Sequence, residues 1–320
     1  TYLPVLGWLL GQQKIIVKNL SALVHLNNGT LLPLTAVNLS AVNNNGHYRL
    51  KTIARLAQTT PTTLLVLADL NINPNALNKG SGHAYFSVRH VLPTQWQGFL
   101  PKLPYHLEGG KGDFEVWLDV LKGRISGVQT TFNFRRLAWS KEGRPQSQFI
   151  QYVSANLAWN RTQDGWKLNG DHIKLRADGD RWPVNSLSVN YRQSQQAYRV
   201  FVKDLLLEPI LAKDIDWPEI MQPILVLHPR GRLQDTQIGV KQGQVGYVLT
   251  RFSDLSWDAD GALPAVNNIS GALSWQPTAG RLELDGENTT LKPRGLPPVN
   301  FAQANAAFEW KELSHGLRIS

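Results

Sequence analysis

The chain has 320 residues, of which 42% are apolar and 18% charged, enough to bury a core and too apolar for intrinsic disorder. Its net charge of +9 comes from scattered Lys and Arg with no long basic run, so the usual footprint of a nucleic-acid surface is missing. There is no cysteine, which excludes thiol catalysis, thiolate metal sites and disulfides.

Strict alternation of apolar and polar residues is the strongest local signal, and it predicts β-strands. Tyr48, Leu50 and Ala54 fall on one face, Arg49, Lys51 and Arg55 on the other. Ala84, Phe86 and Val88 alternate with Tyr85, Ser87 and Arg89. Leu92–Pro101 breaks the pattern and reads as a short helix or an irregular crossing. Phe114, Val116, Leu118 and Val120 oppose Glu115, Trp117 and Asp119, and Val153, Ala155, Leu157 and Trp159 oppose Ser154, Asn156 and Asn160. Leu187, Val189 and Tyr191 oppose Ser188, Asn190 and Arg192. Glu208–Leu227 reads as one or two helical turns punctuated by proline. Leu282 and Leu284 then oppose Arg281, Glu283 and Asp285, and Ala306, Phe308 and Trp310 oppose Glu309 and Lys311. Successive strand side chains point to opposite sides, so each segment has one apolar and one wet face. That is the pattern of an antiparallel sheet covered on one side only. The basic groups His47–Arg55 and Arg135-Arg136 fit a solvated strand face.

Two stretches repeat one another. Phe134-Arg-Arg-Leu-Ala-Trp139, Ala155-Asn-Leu-Ala-Trp159 and Gly165–Gly170 find echoes in Phe252-Ser-Asp-Leu-Ser-Trp257, Gly271-Ala-Leu-Ser-Trp275 and Gly280–Gly286. Leu168 and Leu284 are 116 residues apart, and Val184 and Val299 are 115 apart. A fixed spacing marks a modular array. With the two irregular stretches as junctions, the units expected are residues 1–100, 101–215 and 216–320, the first lacking the clear Trp pairs. The fold expected is mainly β: antiparallel meanders laid end to end, with a few short helices at the junctions.

The motifs of catalysis do not appear. The eight histidines stand singly, without the helical spacing of a zinc motif. Gly80-Ser-Gly82 and Glu108–Asp113 are Gly-rich but lack the phosphate-loop order and read as turns. No Gly-x-Ser-x-Gly elbow occurs, and Asp258 and Asp260 sit in an Asp-Gly turn. Trp139, Trp159, Trp257 and Trp275 recur at repeat positions and read as structural, each indole N–H reaching a partner near a strand end. We therefore expect no enzyme, no metal and no cofactor.

An apolar sheet face must be covered by a second sheet, by helices or by a ligand with hydrocarbon chains. Two short helical stretches are few for so many strands, which brings the third option forward; a sandwich is the alternative. No apolar run approaches the roughly 20 residues of a spanning helix; Leu3–Leu10 is short and interrupted by Pro4 and Gly7. The chain begins at Thr1 and ends within a strand-like pattern at Ser320, so we expect a segment of a longer polypeptide, with any anchor outside it.

The block Gly239–Trp257, followed by Leu263–Leu273 and Gly280–Gly286, resembles the YhdP family of AsmA-like proteins of Gram-negative bacteria. Ala68-Asp-Leu70, Gly80–Phe86 and Trp96 are similar to that family's N-terminal half. The resemblance implies a periplasmic bridge held to the inner membrane: an elongated, twisted antiparallel sheet of repeating groove units, apolar inside, that carries phospholipids toward the outer membrane. The partners implied are phospholipid acyl chains and the inner membrane, not nucleic acid. From the alternation, the groove lining expected is Tyr48, Leu50, Phe86, Val88, Phe114, Val116, Leu118, Val153, Leu157, Leu187, Val189, Leu282, Leu284 and Phe308. The competing readings are a structural β-array that fills its own core and an outer-membrane barrel. Pro-punctuated helical stretches and mid-strand charges such as Arg192 and Lys311 argue against the barrel.

Overall fold

The computed structural model describes residues 11–25, 31–56, 62–73, 76, 79–96, 105–141, 147–177, 180–208, 222–261, 263–293, 295–313 and 316–319. The chain divides into two compact units, residues 1–161 with 172–179, and residues 162–171 with 180–320. The expected unit boundaries near residues 100 and 215, and the Pro-rich run of residues 209–221, lie outside the described residues.

The first unit is built from β1 (Lys14–His25), β2 (Leu31–Asn44), β3 (His47–Leu56), β4 (Thr62–Asn71), β5 (Ser81–Val91), β6 (Tyr105–Leu121), β7 (Arg124–Lys141) and β8 (Gln148–Thr162). Each strand pairs antiparallel with the next, from β1–β2 through β7–β8. β9 (Gly165–Ala177) straddles the division of the chain. The second unit continues with β10 (Asp180–Arg181), β11 (Asn185–Arg192), β12 (Ala197–Leu206), β13 (Arg230–Lys241), β14 (Gln244–Trp257), β15 (Ala265–Gln276), β16 (Ala279–Lys292), β17 (Val299–Leu313) and β18 (Gly316–Ile319). From β11 to β18 the pairing is again antiparallel and sequential. No register joins β1 to β8 or β11 to β18 among the described residues, so neither meander closes into a barrel. Short helical turns occur at Pro93–Trp96 and Gln222–Val226, within the two stretches that break the alternation.

Tight hairpins set the registers. Lys122-Gly123 and Gln242-Gly243 join their strands with both central residues left-handed, at φ 52° and 67°, and 51° and 78°. Two consecutive positive φ values define the type I′ turn, whose twist matches that of the strands it joins. Gly at the second position carries the larger φ without a Cβ clash.

Bulges interrupt the ladders in a regular way. In the second unit, Asp235, Asp254, Asn268 and Asn288 are left-handed on the four consecutive strands β13–β16, with φ between 50° and 60°. Asp and Asn tolerate this region better than other non-glycine residues. A bulge leaves backbone groups without ladder partners, and buried ones must be met elsewhere. Hydroxyls and amides on neighbouring strands meet them. Ser270 Oγ accepts from Asp254 N at 3.2 Å and Ser256 Oγ from Asn268 N at 2.9 Å. Thr289 Oγ1 donates to the Asn268 carbonyl at 2.8 Å, and Asn268 Nδ2 donates to the Glu287 carbonyl at 2.7 Å. The first unit uses the same device at His90 (φ 60°): its N–H donates to Asp113 Oδ1 at 2.9 Å and its carbonyl accepts from Thr62 Oγ1 at 2.7 Å.

The Gly-rich run Glu108–Asp113 is not a turn. It lies inside β6, where register shifts around Gly109 and a φ of 127° at Gly110 make a bulge. The glycines there serve close approach: a Cβ on Gly112 would meet Phe134 Cδ1 at 2.4 Å. Cross-strand glycine–aromatic pairs recur at Gly239 with Tyr247 and Gly280 with Trp310, where a Cβ would stand 2.1 and 2.0 Å from the ring. The ring covers the strand where the glycine has no side chain.

A Val at position 280 forces the Trp310 ring off its strand. Gly280→Val is expected to lose about 1–3 kcal/mol, the usual cost of overpacking. Gly246→Ala, whose Cβ meets only the Gly239 carbonyl at 3.6 Å, should stay within about 0.5 kcal/mol. Urea unfolding of the two variants checks this.

Candidate functional site: one apolar face in each unit

Directly opposed residues of an antiparallel pair share a face, so the registers assign every strand position to a side. In the first unit, one row across β2–β8 reads Leu39, Thr52, Val66, Phe86, Val116, Thr130, Leu157. The row two residues to one side reads Ala41, Leu50, Ala68, Ala84, Leu118, Val128, Trp159, and the row on the other side, from β3, reads Ala54, Leu64, Val88, Phe114, Phe132, Ala155. Tyr48 flanks these rows on β3 and Val153, paired with Phe134, flanks them on β8. All nine expected lining residues of this unit thus fall on one face. The opposite face carries the charges: Arg49, Asp69, His83 and Asp119 form a row, with His47 Nε2 2.6 Å from Asp69 Oδ1 and His83 Nδ1 2.6 Å from Asp119 Oδ1.

The second unit repeats the arrangement. Val189, Val200, Ile238, Val248, Trp275, Gly280 and Trp310 form one row from β11 to β17. Beside it, Leu187 opposes Val202 on β12, and Leu273, Leu282 and Phe308 oppose one another on β15–β17. Phe252, Gly271, Leu284 and Ala306 make the next row on β14–β17. The five expected lining residues here share this face as well.

Several residues of the two faces escaped the sequence reading. Leu64 and Val66 lie in an unbroken run, Leu64–Leu67, whose alternation is hidden because Leu65 and Leu67 point to the other side. Phe252, Val266 and Ile269 form the best-buried cluster of the second unit, packed by Leu233, Leu255, Leu273, Leu282 and Leu284. Bulges put them out of simple alternation, and the Phe252–Trp257 motif, which opens on the first of them, was the available signal.

Among the described residues, no second sheet of its own unit packs over either face. Most lining side chains are half-buried; Val88 is fully buried, and Phe308 is 44% exposed. The chain exposes 20680 Å². A compact chain of 35.8 kDa exposes about 13,000 Å², and two separate compact halves about 16,000 Å².

The titratable groups tie strands and turns rather than pair for chemistry. Hydrogen bonds from Ser140 and Ser147 hold the Glu108 carboxyl below the usual carboxylate range, and those from Ser194 do the same for Asp164. Arg232 is raised by its hydrogen bonds to the buried carboxylate of Asp204, and Arg281 by Glu283 and Glu309. Among the described residues no three His, Asp or Glu side chains converge as a metal site requires. Trp257 Nε1 donates to the Pro264 carbonyl at 2.9 Å, a structural use of the indole.

A family model described as YhdP protein matches residues 4–320. The chain belongs to the YhdP family. No curated protein and no solved structure matches it. The YhdP match spans both units and so includes both apolar faces. No helix among the described residues is long and apolar enough to cross a membrane.

An open face makes a thermodynamic prediction. Leu56, 1% exposed, should lose about 2–5 kcal/mol on truncation to Ala. Leu118, half-buried on the same face, should lose about 1 kcal/mol, because less area leaves water there on folding. Equal losses in urea unfolding would mean that the face is sealed at Leu118 as firmly as at Leu56.

Proposed function

We propose that this chain is a non-enzymatic segment of a bridge that carries phospholipids between the inner and outer membranes of a Gram-negative envelope. It works in the periplasm and is held to the inner membrane by a part of the protein beyond this segment. The observation that carries the reading is the pair of apolar faces, each continuous across seven strands, with charged rows such as Arg49, Asp69, His83 and Asp119 on the opposite side. Acyl chains laid on such a face remove apolar surface from water at about 25 cal/mol per Å². Transport then needs no bond to be made or broken. It needs contacts of similar strength along the path, because one deep site would hold the lipid back. Membership of the YhdP family supports the same reading.

The second reading is a structural array that fills its own core. The cluster Phe252, Val266 and Ile269, between 5% and 7% exposed, favours it locally. The two readings differ in what an inward charge does. A carboxylate at position 116 or 284 would lie among half-buried apolar side chains, where an acyl chain passing over it must leave it partly desolvated. Val116→Asp or Leu284→Asp in the full-length protein is expected to block lipid supply to the outer membrane while the protein still accumulates as a folded species. Normal supply in cells that carry the folded variants contradicts the conduit and leaves the structural array.

A further inference from the structure

The first part of the chain carries no negative side chain. Residues 1–68 hold five Lys and Arg and no Asp or Glu, so more than half of the net +9 lies there. The registers say where these cations stand. Lys14 on β1 opposes Val42 on β2, and Val42 opposes Arg49 on β3, so all three share a face. Lys51 and Arg55 follow Arg49 on the same side of β3. Lys18 lies four residues beyond Lys14 on β1 and is exposed like it. This side is opposite Tyr48, Leu50 and Ala54, and so opposite the apolar face. None of the five cations has an ion pair among the described residues. Arg49 faces Asp69 on β4, but that carboxylate is held by His47 Nε2 at 2.6 Å. Lys51 stands between Ser40 and Leu67, and Arg55 between Thr35 and Thr63. Neighbouring cations without an anion repel one another, and an anionic surface laid against them relieves that repulsion.

Aliphatic side chains are interleaved with these cations. Ile16, Val42, Ile53 and Leu67 lie on the same side and are 53%, 42%, 38% and 37% exposed. Along this side β3 reads Arg49, Lys51, Ile53, Arg55. At about 3.3 Å per residue and about 4.8 Å between strands, the patch from β1 to β4 measures about 20 Å by 14 Å. A surface cavity of about 570 Å³ at one end brings Lys14, Val42, His47 and Arg49 together, and no carboxylate is among its lining residues.

We infer that this side of β1–β4 docks on the anionic surface of a lipid bilayer. The cations lie at the level of the lipid phosphates, and the aliphatic side chains enter between the head groups. Lys and Arg suit such a surface, because their stems lie along apolar groups while the charged end stays in water. A face that is basic and apolar together is what draws a protein onto anionic lipid. A single-stranded nucleic acid calls instead for aromatic rings among the cations. Tyr48 is the one Phe, Tyr or Trp of β1–β3, and it lies on the other face. The contact goes beyond the acyl-chain reading and does not rest on it, since it uses the opposite side of the same unit.

The test is flotation of the purified chain with vesicles of phosphatidylcholine alone and of phosphatidylcholine mixed equally with phosphatidylglycerol. The mixed vesicles should bind at least about tenfold more tightly. That preference should shrink as salt shortens the Debye length from about 10 Å at 0.1 M to about 3 Å at 1 M. The triple variant Arg49→Gln, Lys51→Gln, Arg55→Gln, altered only at exposed positions, should lose the preference. The triple variant Lys122→Gln, Arg124→Gln, Arg161→Gln removes equal charge elsewhere and should keep it, as should Val116→Asp on the apolar face. Equal binding to both vesicles overturns the docking face and leaves the acyl-chain reading standing. So does a preference that survives in the first triple variant or is lost equally in both. Vesicle binding abolished by Val116→Asp but not by the first triple variant assigns the contact to the apolar face and overturns the docking face. Absence of binding to either vesicle also overturns it, and leaves an acidic protein surface as the occupant.

Discussion

A sheet with one apolar face is unstable as a bare object, and this constraint shapes the chain. Burying that face drives folding, yet among the described residues each unit is one meander with no second sheet to bury it against. The backbone ladder therefore carries an unusual share of the organisation. From β1 to β8 and from β11 to β18, each strand is pinned to the next by a register, and the side chains of each row shelter one another from the side. Half-burial of most apolar residues is the outcome, and it leaves their outer surfaces available to a hydrocarbon guest.

Bulges are the second element. An extra residue in one strand bends it and increases its twist, and here the bulges come in lines across neighbouring strands. They also explain the internal repeat in physical terms. The third residue of Phe134–Trp139 is Arg136 and that of Phe252–Trp257 is Asp254, and both are left-handed, at φ 52° and 54°. His172 and Asn288 stand two residues after Gly170 and Gly286, and both are left-handed, at φ 49° and 54°. What recurs at a spacing of 116 to 118 residues is thus a bulge with its following Leu and Trp, on β7 and β14, and a second bulge on β9 and β16. Ser256, Ser270 and Thr289 complete the device by bonding the backbone groups that the bulges release.

The strands with clean alternation were legible from the residues alone: Tyr48 to Ala54, Phe114 to Val120, Val153 to Trp159 and Leu282 to Leu284 all lie where the period of two puts them. The lining residues drawn from them fall on a common face for the same reason. β4 was not legible in this way, since Leu64 to Leu67 are apolar on both sides and no period survives. The glycines of β6 were misleading: Gly109 to Gly112 look like a turn because turns and bulges draw on the same freedom of glycine.

Form and proposed function meet in the separation of the two faces. Charged rows such as Arg49, Asp69, His83 and Asp119 keep one side wetted, so the other can remain apolar without closing into a core. The most direct measurement places a photoreactive side chain at Phe114, Leu157 or Phe308 on the apolar faces, and at Glu115 or Asn156 on the opposite face, in the full-length protein in living cells, and identifies the adducts by mass spectrometry. The account predicts phospholipid adducts from the first three positions and none from the other two. Adducts absent from all five, or equally abundant on both faces, would contradict it.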